Sequence, residues 1–117
     1  MRMHKLTIEG KEILFLNNWR GTGSGFIHET ELYIDGWQAA AARCHYINRT
    51  WERYSYQSVM LEAVHKLQEE ETAREKAYFL RINGYKNMMS YRKAAFMEYL
   101  ASNTNLSFYK KIEEALR

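Results

Sequence analysis

Four histidines and one cysteine are the first groups in this 117-residue chain that could do chemistry. His4, His28, His45 and His65 are scattered. No two of them have the one-turn spacing of a helical zinc site, and no second cysteine completes a structural one. Cys44 and His45 are neighbours, but adjacent side chains on a strand point to opposite faces. A nucleophile–base pair is therefore not expected, and Cys44 reads as a small core residue. Among the acids, Glu29 and Glu31 share a strand face, and Glu69, Glu70 and Glu71 run together as a solvated helix surface. General acid–base work needs carboxylates held in different environments within one cleft. Glu62 with Lys66, and Glu70 with Arg74, have instead the spacing of ordinary helix-surface pairs. The glycine-rich run Arg20–Gly25 lacks the Gly-Lys-Ser/Thr of a phosphate loop and leads into a strand rather than a helix. It reads as a hairpin loop, with Arg20 beside it able to touch an anion. These patterns predict a protein that is not an enzyme and carries no metal and no cofactor.

Recognition is the chemistry that remains. The segment Tyr46–Ser58 holds three tyrosines, Trp51 and two arginines at a strand-to-helix corner. Two readings stand for it. In one, Trp51 plugs the joint, Asn48 closes the turn, and Arg49 or Arg53 pairs with Glu52 or a helix end. In the other, Arg43, His45, Arg49 and Arg53 form an exposed basic edge with Tyr54. Tyrosine and arginine are the residue types that dominate interface hot spots, and they also stack on bases and bind phosphate. A second basic cluster, Arg81, Lys86, Arg92 and Lys93, is interleaved with Tyr85 and Tyr91 around Asn83-Gly84. The candidate partner-binding residues are Arg43, Arg49, Arg53, Tyr54, Tyr85, Lys86, Arg92 and Lys93. Met88, Met89 and Met97 are expected to fill core gaps.

The elements that must position these groups are legible in outline. His4–Ile8 alternates weakly, Glu9-Gly10-Lys11 offers a tight turn, and Ile13–Leu16 is a short apolar run. Phe26, His28, Thr30, Leu32 and Ile34 share one strand face. Asp35-Gly36 is a hairpin signal. Trp37–Asn48 is ambiguous: its alanines favour a helix, while its alternation and the preceding turn favour a returning strand. Read as a strand, it completes a four-stranded antiparallel meander over residues 3–48. Thr50 fits as the N-cap of a helix running to about Glu69. Its buried stripe is Tyr56, Val59, Met60, Ala63, Val64 and Leu67. Glu69–Glu71 interrupts it, and Thr72–Glu75 has the spacing of a capping box opening a second helix that ends near Asn83-Gly84. One continuous helix over 51–82 is the rival reading. Ser90–Ala101 and Asn105–Leu116 are further helices. The expected fold is α+β: one domain over residues 1–117, its sheet (1–48) packed on a helical half (49–117).

Composition bounds the rest. The formal charge of +3 is modest, but positive charge gathers in residues 36–60 and 81–117. A patch of that strength suits phosphates or an acidic protein face. A single cysteine allows no intrachain disulfide, and neither a signal peptide nor a membrane span is evident, so a cytoplasmic location is expected. Aromatic residues make up 15% of the chain, a richness that fits a contact surface.

The stretch Tyr46-Ile47-Asn48-Arg49-Thr50-Trp51-Glu52-Arg53-Tyr54-Ser55-Tyr56-Gln57-Ser58-Val59-Met60 resembles one found in short proteins of phages and other bacterial mobile elements. It covers about an eighth of the chain. Small proteins of that origin include inhibitors of host defence, such as anti-CRISPR proteins, and accessory DNA-binding proteins. The resemblance implies binding and inhibition of a host protein or nucleoprotein, with a CRISPR effector as one such target. Many such inhibitors are acidic DNA mimics. This chain is basic, so covering a protein surface or a guide-strand backbone fits it better. The alternative is a small DNA- or RNA-binding accessory protein. No membrane partner is implied.

Overall fold

The architecture follows from two tight turns. A computed structural model describes residues 1–47 and 56–117. Glu9-Gly10 and Asp35-Gly36 both place two successive residues at positive φ, with Gly10 at 79° and Gly36 at 83°. That is the type I′ geometry matching the right-handed twist of paired strands. The resulting strands are β1 (Arg2–Ile8), β2 (Lys11–Gly21), β3 (Gly25–Ile34) and β4 (Trp37–Ile47). They form an antiparallel sheet in the order β1-β2-β3-β4. Trp37–Ile47 is thus a strand, as the hairpin signal required despite its alanines. Ala39 is an extra residue between the Leu32–Ala40 and Tyr33–Gln38 pairs, a bulge that lets the strand keep Ala40 and Ala42 on the inner face. Three helices follow: α1 (Tyr56–Ile82), α2 (Ser90–Ala101) and α3 (Thr104–Leu116). The fold is α+β.

One sheet face is dry and the other is open. Ile13, Phe15, Leu32 and Ala42 meet Val59, Met60, Ala63, Val64 and Leu67 of α1 and Phe108, Ile112 and Leu116 of α3. The core also holds a small polar island. Thr30 Oγ1 donates to Asn17 Oδ1 at 2.7 Å, and the Asn17 amide reaches Met60 Sδ at 3.4 Å. On the opposite face, Glu29, Glu31 and Arg43 alternate with the buried row, the usual pattern of an antiparallel sheet covered on one side.

The helical half departs from the expected layout at Glu71. The Glu69–Glu71 run does not interrupt the helix, and Thr72 does not cap a new one. α1 continues for 27 residues, about 40 Å. Thr72 Oγ1 donates back to the Gln68 carbonyl at 2.8 Å inside the continuous helix. Glu71 is not solvated but 4% exposed. It accepts from Arg74 at 2.6 Å and from Asn105 at 3.3 Å, tying α1 to the start of α3. The pair that forms is Glu71–Arg74, three residues apart, and no Glu70–Arg74 bridge forms among the described residues.

This carboxylate links stability to pH. Burial pushes the Glu71 carboxyl up, but hydrogen bonds from Arg74, Asn105 and Asn103 and the Arg74 charge outweigh it, leaving a net lowered pKa. A lowered folded-state pKa contributes stability that is present above the unfolded value and lost as pH falls through the folded one. Glu71→Gln is therefore expected to be less stable than the parent at neutral pH. The gap should narrow in thermal melts on going from about pH 5 to about pH 3. Parallel melting curves for the two proteins across that range would remove the carboxylate from this role.

No helix among the described residues is long and apolar enough to cross a membrane.

Candidate binding surface

The distal part of α1 leaves the sheet and builds an arm. Its core-facing residues run from Val59 to Leu67, and after Glu71 the next buried residue is Phe79. The radius of gyration is 17.2 Å, against ~13 Å for a compact domain of ~100 residues. α1 ends at Asn83-Gly84, as its glycine implied. Gly84 takes a φ of 68°, and the Tyr85 amide donates to the Leu80 carbonyl at 2.8 Å. The chain then folds back as α2. Phe79 packs against Phe96 with ring centroids 5.3 Å apart and against Tyr99 at 5.5 Å. The Tyr99 hydroxyl donates to Glu75 at 2.6 Å. That hydrogen bond, with partial burial and the Glu75 charge, pushes the Tyr99 phenol up to about 12, so it stays a protonated donor well into the alkaline range.

At the tip, four of the expected site residues come together. Tyr85, Lys86, Arg92 and Lys93 surround the turn between α1 and α2. Arg92 differs from expectation, because its guanidinium is already engaged. It lies 3.7 Å from the Tyr85 ring centre and 5.0 Å from that of Tyr91. It also donates to the Asn87 carbonyl and to the Tyr91 hydroxyl, each at 2.8 Å. Arg92 shapes the tip, while Lys86 and Lys93 stay exposed with no ion pair among the described residues.

Around these cations the arm leaves large apolar groups in solvent. Tyr78, Ile82, Met89, Tyr91 and Met97 are between 45% and 68% exposed. Tyr78 and Ile82 lie one turn apart on α1. Met89, Lys93 and Met97 follow one another at the same spacing along α2. Arg81 stands over the Tyr78 ring at 5.4 Å. Met89 and Met97 thus lie on the surface, not in the core gaps expected of them; Met88 is half-buried. A single buried residue, Phe96, fixes α2 against its neighbour, so most of the helix faces outward.

The other expected residues do not join this surface. Arg43 sits on the open face of the sheet, away from the helices, where it pairs with Glu29 at 3.3 Å. Arg20 pairs with the same oxygen at 3.4 Å and is not a free anion site. Arg49, Arg53 and Tyr54, with the rest of the corner segment over 48–55, lie outside the described residues. Sequence reasoning missed Tyr78 and Ile82. Their signal was that apolar residues beyond Glu71 spread around α1 instead of following one stripe.

The tip's side chains can bury apolar area while a cationic rim meets negative charge. Among the described residues no group of three or more His, Cys, Asp or Glu is placed to hold a metal ion. The chain matches no family model, no curated protein and no solved structure.

Proposed function

We propose that this is a non-enzymatic binding protein that docks its helical arm on an acidic, partly apolar surface of a host protein or nucleoprotein and inhibits it by covering that surface. A CRISPR effector is the target class that the resemblance of Tyr46–Met60 implies. One observation carries the reading. The projecting arm exposes Tyr78, Ile82, Met89, Tyr91 and Met97 beside Lys86 and Lys93, while its own small core holds it in shape. Large apolar side chains left in solvent beside cations are what an interaction site offers and what a solitary domain avoids.

Ile82→Glu combined with Met97→Glu tests it, since both positions are exposed and a charge there meets solvent. Capture of the host partner is expected to weaken by at least about 30-fold, as for loss of one interface hot spot. Met3→Glu, on the outer sheet face, should leave capture unchanged. Equal capture by all three proteins contradicts the proposal. The nucleic-acid alternative makes a different forecast: binding to DNA or RNA at low salt that falls steeply as salt rises.

A further inference from the structure

The opposite end of α1, about 40 Å from Ile82, carries a second feature that the arm does not explain. There the inner row of the sheet stops being aliphatic. Trp19 faces His28 across the β2–β3 pair, Phe26 follows on β3, and Arg2 lies opposite Asn17 on β1. Arg2, Trp19, Phe26 and His28, with Met1, Asn18 and Tyr56, line a recess of about 940 Å³. Pockets that enclose small organic ligands have about this size. Its walls are mostly rings. Phe26 and His28 have centroids 5.3 Å apart, His28 and Tyr56 4.9 Å, and the Arg2 guanidinium stands 5.4 Å from the Tyr56 ring centre.

Three properties narrow what fits. Trp19 is 58% exposed although it points to the inner side, so it offers a flat face at the rim rather than filling the core. Arg2 supplies a cation with a planar fork suited to phosphate. The β1–β2 pairing ends at Arg2–Asn17, so the β1 side of the β2 backbone beyond it is unpaired among the described residues, next to the Asn18 amide. A ligand here meets flat apolar faces, hydrogen-bonding edges and one positive charge. A phenylalanine side chain uses only the first of these, and tyrosine or tryptophan adds one hydrogen-bonding group but no negative charge for Arg2. Burial lowers the His28 pKa, so its ring is neutral at pH 7 and adds no second cation.

We propose that this recess binds a nucleobase together with its phosphate, the base stacking at Trp19 and the phosphate meeting Arg2. The ligand is a free nucleoside monophosphate or the end of a single strand; the shared chemistry is the same. Aromatic faces hold unpaired bases without demanding one sequence. This site is separate from the arm and does not rest on what the arm binds.

The test is a titration of the full-length protein followed by amide and indole N–H correlation spectra. The probes are AMP, adenosine, phenyl phosphate and a 5′-phosphorylated trinucleotide. AMP is expected to move the Trp19 indole and the amides of Asn18, Phe26 and His28 saturably. Adenosine should bind more weakly. Trp19→Ala should weaken AMP by about tenfold or more. Arg2→Glu should reduce AMP to the level of adenosine while leaving adenosine unchanged. Both positions are exposed, and thermal melts of each variant check that it folds. AMP as the tighter ligand identifies a free nucleotide, and the trinucleotide as the tighter ligand identifies a strand end; either supports the proposal. Absence of saturable shifts at the recess overturns it. So does phenyl phosphate binding as tightly as AMP, or shifts that gather at Lys86 and Lys93 instead.

Discussion

Phe79→Ala is expected to unlatch α2 while leaving the sheet folded. Phe79 is 6% exposed and touches three rings of the arm: Phe96, Tyr99 and Tyr85, the last at 6.2 Å. Truncating a buried phenylalanine costs about 3–5 kcal/mol, partly through the cavity that remains. That cost falls on a unit with little else to hold it. α2 buries only Phe96, and its further ties to α1 include the Tyr99–Glu75 hydrogen bond. The sheet, the first half of α1 and α3 share a separate core that does not include Phe79. Hydrogen exchange should show the amides of Ser90–Ala101 losing at least about 100-fold protection, as local opening would produce. Amides of β2, β3 and Val59–Leu67 should be unchanged. Partner capture should be lost with the protection of α2. Phe79→Leu should restore much of both, because it refills most of the volume. Uniform loss of protection over the whole chain would show that arm and body are one cooperative unit.

Phe15→Ala is expected to have the opposite distribution, destabilising the whole molecule. Phe15 is fully buried in β2, an interior strand, and belongs to the cluster that joins the sheet to α1 and α3. The same chemical truncation again costs about 3–5 kcal/mol. Small domains have about 5–15 kcal/mol in total, so this loss is a large share of the reserve. A denaturant titration should show the midpoint moving down in a single transition shared by near-UV and far-UV signals. A midpoint shift below about 1 kcal/mol equivalent would mean that the sheet core is not what holds the body together.

The contrast between these two sites also explains what was legible in the sequence. The sheet was written in local chemistry. Asp35-Gly36 and Glu9-Gly10 set two hairpins, and once those were fixed, alternation put His28, Thr30 and Leu32 on one shared face, which the structure shows is the inner one. The same turn decided β4 against the helix propensity of its alanines, because a hairpin needs a returning strand. The first half of α1 was equally plain, since its stripe from Tyr56 to Leu67 faces one surface throughout. Glu71 was misread because a run of three glutamates says nothing about which one will meet Arg74 and Asn105 across the fold. Arg92 was read as a free contact because the pairing that engages it depends on the turn after Gly84. Met97 was placed inside because methionine usually is. Its exposure follows from α2 burying only Phe96, a fact of tertiary arrangement. The aromatic recess escaped notice for the same reason: Arg2, Trp19, Phe26 and Tyr56 are far apart in sequence and meet only where the strands align.

Hydrogen exchange on the protein bound to its captured partner tests docking through the arm directly. New protection is expected only at residues 78–97, with the outer-face strand residues Leu14, Leu16, Ile27 and Glu31 exchanging as they do in the free protein. Protection of those strand residues with an unprotected arm would contradict it.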